Sequence, residues 1–153
     1  MLVTVVLGHA AMDSSNIKSV NHSNTLKYLS ELDLGYLKKY MSSEQYTLPR
    51  WQDSDADTAI LLYKRYLALL VKHGLECELV PTKEIDEVWH NHILHTKQYH
   101  QDCNALFGRY LHHIPSDLNE TDQERLSALF QKTCEYYESE FNESLPFYQQ
   151  NAG

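Results

Sequence analysis

Cysteine is scarce, and the three present, Cys77, Cys103 and Cys134, include no closely spaced pair. An odd and dispersed set excludes a disulfide framework and predicts a reducing, cytoplasmic setting. Basic residues are also few: 13 Lys and Arg against 21 Asp and Glu leave a formal charge of −8, and no basic stripe exists to neutralise phosphates. The expected partners therefore exclude nucleic acid and an anionic membrane surface, while divalent cations would be concentrated around the chain. No run approaches the roughly 18 apolar residues needed to span a bilayer. Familiar catalytic signatures are missing too, with no H-E-x-x-H, no C-x-x-C, no glycine-rich phosphate loop and no G-x-S-x-G. That disfavours the zincins, zinc ribbons, nucleotide enzymes and serine hydrolases that carry them.

What is present is an ordinary globular composition, 42% apolar and 22% charged over 153 residues. This is enough for one continuous core and short for two. The opening MLVTVVLGHAAM is apolar, but it has no positive n-region and is interrupted at Gly8 and His9. It is expected to be a flexible leader over residues 1–22, rather than a secretion signal, ahead of a single domain over 23–148.

Within that domain the apolar spacing is helical. Leu26, Leu29, Asp33, Tyr36, Leu37 and Tyr40 recur at three- and four-residue steps after a cap at Ser23 or Asn24, and Gly35 can split the stretch. Asp53, Ser54 and Asp55 offer capping oxygens to a long helix from about Ala56 to His73, which Gly74 ends. It is apolar on more than half its surface and should be the central core helix. Residues 75–80 (LECELV) read as an extended connector. Pro81 and Thr82 open a helix of about 13 residues, and Thr96 caps another from Lys97 to Phe107, ended by Gly108. Thr121-Asp122-Gln123-Glu124 forms a capping box for a last helix with Leu126, Leu129, Phe130, Thr133, Tyr137 and Phe141 inward. The fold class is all-α, a single-domain bundle of about five helices.

The strongest chemical signal is histidine. Six of nine, His90, His92, His95, His100, His112 and His113, fall within residues 90–113, where a random spread would leave about one or two. On a helix His90 lies over Asp86 one turn earlier, so Asp86 can orient its imidazole or ligate an ion directly. His92 continues the stripe Ile85, Val88 and Trp89 toward the core, about 200° from His90, so one regular helix does not offer both to one ion. His95 stands at the turn before Thr96. His112 and His113 alternate in direction, so one of them should point inward. Tyr99, Cys103, Leu106 and Tyr110 share a face, with Asp102 beside it; Asp86 with Asp102 is also a candidate for a paired-carboxylate catalyst. His9, His22, His73 and His100 read as solvated, and Trp89, Phe107 and Tyr110 as core. The candidate ligands are thus His90, His92, His95, His112 and His113, with Asp86, Tyr99 and Cys103 supporting them. This set suits a transition metal, zinc first, with iron, copper or nickel as alternatives.

The segment VPTKEIDEVWHNHILHTKQYHQDCNALFGRYLHHIP resembles the glycine-rich domain-containing protein-like family through Asp86, Trp89, His90, Thr96, Tyr99, Cys103, Gly108, Arg109, His112 and His113. The likeness is close over about 35 residues and looser over 50–120. Larger relatives carry a glycine-rich region, which this chain lacks with its five glycines, so no role tied to that region carries over. The resemblance implies no defined activity. It does favour His90, His112 and His113 over His92 and His95, whose equivalents in relatives often differ.

The first functional reading is a metal-binding helical protein of undefined biochemical role. The second is a metal-dependent or His/Asp acid–base enzyme of hydrolase type. The third is a protein-interaction module, a secreted bacterial effector without catalysis, suggested by the acidic aromatic end CEYYESEFNESLPFYQQ. The simpler reading of that end is the solvated face of the last helix.

Overall fold

The structure is a computed structural model that describes residues 4–5, 22–115 and 120–146, with only the backbone for 4, 5, 22, 120 and 121. Its helices are α1 (His22–Glu31), α2 (Gly35–Met41), α3 (Asp53–His73), α4 (Lys83–Leu94), α5 (Thr96–Phe107) and α6 (Glu120–Phe141). Two strands of two residues, β1 (Thr4–Val5) and β2 (Ile114–Pro115), pair antiparallel, Val5 opposite Ile114. The expected all-α single-domain architecture is what these elements form. The expected leader over 1–22 and the last residues of the expected effector-like end lie outside the described residues, apart from the backbone at 4, 5 and 22.

The 26–40 stripe does break before Gly35, and this gives the sixth helix. Gly35 N–H bonds to the Asp33 carboxylate at 2.8 Å, an Asx-type turn that competes with helix continuation. Leu29, Leu34, Leu37 and Met41 are buried, whereas Leu26 is exposed on the outer side of α1. Helix starts are less well read from sequence. Helix α3 begins at Asp53 with Gln52 as cap, so the carboxylates of Asp53 and Asp55 lie in its first turn, where they oppose the positive end of the dipole, and do not cap it. Helix α5 begins at Thr96 with His95 as N-cap and no side-chain cap bond. Helix α6 begins at Glu120, so Thr121 is already helical. By contrast, Thr82 caps α4 as expected, its hydroxyl accepting the Ile85 N–H at 3.3 Å.

Helix α3 is the centre of the molecule. It packs against α1, α2, α4 and α6, and Ala56, Ala59, Leu62, Tyr63, Tyr66, Leu67, Leu69, Leu70 and Val71 are buried along it. Because four other helices pack against it, its apolar surface is wider than the stripe of an amphipathic surface helix. Ile85, Val88 and Trp89 of α4 pack into the same core with no exposed surface. Burying that stripe leaves Asp86 and His90 at its margin, and this places the site.

Candidate metal site

Asp86 and His90 stand one turn apart on α4, where helical geometry makes i and i+4 side chains neighbours. The His90 Nε2 atom is 3.5 Å from Asp86 Oδ2. The third member arrives from the far side of α5. Gly108 ends α5 in the left-handed region, φ +67°, which glycine adopts without steric cost, and the chain doubles back along α4. Its His113 Nε2 reaches Asp86 Oδ1 at 2.8 Å, and the two imidazole centroids are 4.4 Å apart. One ligand atom from each of Asp86, His90 and His113 lies within 4.8 Å of the others, a group that could hold a metal ion. No fourth His, Cys, Asp or Glu joins it among the described residues.

The cluster sits at the boundary between core and solvent. The side chains of Asp86 and His113 are each 9% exposed and that of His90 is 45% exposed. Burial pushes the His90 imidazole below its ordinary pKa; the Asp86 carboxylate opposes that shift and His113 adds to it. A neutral imidazole is the form that ligates a metal.

Not all the candidate histidines converge. His112 is exposed and lies against Tyr110 at 4.9 Å, so of the adjacent pair it is His113 that points inward. His92 is in the core, with Nδ1 2.9 Å from the Tyr63 hydroxyl and Nε2 2.8 Å from Asp102 Oδ2. Both ring nitrogens are thereby engaged, and the structure does not bring His92 to the cluster. His95 turns away as well: its Nδ1 is 2.7 Å from the Asn91 carbonyl and its ring packs edge-on against Tyr36. His100 is exposed, and His73 stacks on Tyr136. Asp86 and Asp102 belong to different networks and form no carboxylate pair. Asp102 takes hydrogen bonds from His92, from the Tyr28 hydroxyl at 2.8 Å and from Gln98 at 3.0 Å. Burial pushes its carboxyl up, but these donors outweigh burial and its pKa is lowered overall. The Tyr28–Asp102–His92–Tyr63 chain escaped the sequence reading because its partners lie as far as 74 residues apart and share no local period.

Tyr99 and Cys103 are buried behind the cluster. The Tyr99 hydroxyl donates to the Leu111 carbonyl at 2.5 Å and accepts the Trp89 indole N–H at 2.9 Å. Trp89 meets the His113 ring edge-on with centroids 4.4 Å apart. Burial pushes the Cys103 thiol pKa up, so it behaves as a small apolar group rather than a thiolate.

A family profile described as UCP032817-like matches residues 27–146. Among curated proteins, the chain is 28% identical over 137 residues to glycine-rich domain-containing protein 1 of Arabidopsis thaliana, which covers 85% of this chain and 17% of the relative. Glycine-rich domain-containing protein 2 of the same plant is 30% identical over 86 residues, 54% of this chain and 11% of the relative. The chain therefore spans less than a fifth of the length of these relatives. No solved structure matches.

Proposed function

The chain belongs to the UCP032817-like family, and from that premise we propose that it is a metal-binding helical protein whose ion is held by Asp86, His90 and His113. The observation that carries this reading is the convergence of two imidazole nitrogens and one carboxylate oxygen within 4.8 Å of one another, from residues 27 positions apart. The 2.8 Å hydrogen bond between His113 and Asp86 would be given up when both coordinate an ion. Two histidines and one carboxylate suit zinc, and they also suit non-haem iron; zinc is the first expectation because three protein donors plus water is its usual catalytic arrangement.

Three protein donors leave coordination positions for water, and His90, 45% exposed, puts that side of the site in contact with solvent. This favours, as a second reading, an open site that activates water over a closed structural one. Asp86 then serves as a ligand, not only as the orienter of His90.

Elemental analysis of protein purified from zinc- and iron-supplemented cultures tests the proposal. Near-stoichiometric metal is expected in the wild type, and its loss in Asp86→Ala and His113→Ala. Less than about a tenth of an equivalent in the wild type sinks the idea. For the open-site reading, cobalt-loaded protein should change its visible spectrum when azide is added. An unchanged spectrum argues for a closed site.

A further inference from the structure

We propose that Tyr99 is a positioning residue for the metal site, holding the Leu111 backbone so that His113 meets Asp86 and His90. This rests on the metal-binding reading above. Two of the three donors need no such device, since Asp86 and His90 are one turn apart on a capped helix. His113 does need one: residues 110–113 are neither helix nor strand, so no repeating hydrogen-bond ladder determines where its imidazole lies.

The geometry points to what does. Tyr99 lies on the buried face of α5. The Tyr99 hydroxyl gives its proton to the Leu111 carbonyl, two residues before His113, and takes the indole N–H of Trp89, the residue before His90. One hydroxyl thus joins the helix that supplies two donors to the segment that supplies the third. Tyr99, Trp89 and Leu111 are each no more than 2% exposed, so water cannot replace these bonds. Trp89, held by Tyr99, is also the surface against which the His113 ring rests. Tyr99→Phe keeps the ring and its packing but leaves the Leu111 carbonyl without the Tyr99 donor and the Trp89 N–H without its acceptor.

The test compares zinc affinity, by competition with a chromophoric chelator, in wild type, Tyr99→Phe and Thr133→Val. Thr133 is a control: its buried hydroxyl accepts the Val80 N–H and donates to Leu129, on a different helix. Tyr99→Phe is expected to bind zinc about ten- to a hundredfold more weakly, the usual effect of losing a group that orients a ligand, and to alter the visible spectrum of the cobalt form. Thr133→Val should melt at lower temperature with its zinc affinity kept within about twofold. Affinity of Tyr99→Phe within about twofold of wild type, or an equal loss in both variants, overturns the proposal. Should Tyr99→Phe fail to fold, hydrogen exchange in the wild type takes its place: the Trp89 indole N–H, held by Tyr99, should exchange slowly, and exchange at the rate of a free indole counts against the clamp. If the wild type binds zinc and His113→Ala loses it while Tyr99→Phe binds normally, only this inference falls. If the wild type binds no metal, the underlying reading falls and takes the clamp with it.

Discussion

His112 and His113 are adjacent in the chain and have opposite surroundings. His113 is packed against Trp89 and bonded to Asp86, while His112 stands in solvent beside Tyr110. His112→Ala should therefore leave bound metal at the wild-type level, and His113→Ala should reduce it to about a tenth or less, since one of three donors is lost. Elemental analysis of the two variants side by side decides it, and equal loss in both would contradict the placement. The sequence could say that one of the two points inward, because successive side chains diverge. It could not say which, because the choice depends on where Leu111 is anchored by a residue 12 positions earlier.

At the scale of elements, the reversal after α5 is what carries His113 back to α4, and Gly108 makes it at φ +67°. A Cβ built at Gly108 meets nothing within 4 Å, so the cost of Gly108→Ala is conformational rather than steric. It should amount to about 1 kcal/mol, the penalty for an L-residue in the left-handed region, read as a shift in denaturant midpoint with the slope unchanged. A loss several times larger would mean that the turn meets a contact absent from this structure. Element existence was legible from three- and four-residue apolar spacing and from Gly74, Thr82 and Gly108. Element starts were less so. Asp53, Ser54, Asp55, Thr96 and Thr121 all have capping chemistry, but each helix starts at or before them.

For the molecule as a whole, one buried network ties four helices together: Tyr28 of α1, Tyr63 of α3, His92 of α4 and Asp102 of α5. Both carboxylate oxygens of Asp102 accept hydrogen bonds, Oδ2 from His92 and Oδ1 from Tyr28 and Gln98. An amide has one acceptor oxygen, so Asp102→Asn sets its NH2 against a donor and should cost about 2 kcal/mol, typical of leaving a buried polar group unsatisfied. The charge adds a pH dependence. Because the folded pKa of Asp102 is lowered, its stabilisation is fully present above the ordinary Asp value of about 3.9 and is lost as pH falls through the lower folded value. Metal-free wild type should lose this part of its stability on acidification, and Asp102→Asn should lack it. Parallel thermal melts from pH 7 to pH 2 in chelator measure the difference, and superimposable acid profiles would rule the contribution out.

The sequence alone determined the helical class, the central place of the α3 segment, the inward stripe Ile85, Val88, Trp89 and His92, and the neighbourhood of Asp86 and His90. All of these follow from local periodicity, because a helix places residues three and four apart on one face whatever surrounds it. Tertiary structure alone decided that the inward-facing His92 spends its nitrogens on Tyr63 and Asp102, that His113 completes the group instead, and that Asp86 stands among the donors. Those outcomes depend on contacts 10 to 29 residues apart. Only the packing of α3, α4 and α5, together with the turn at Gly108, brings such residues within hydrogen-bonding distance, and local spacing carries no record of it.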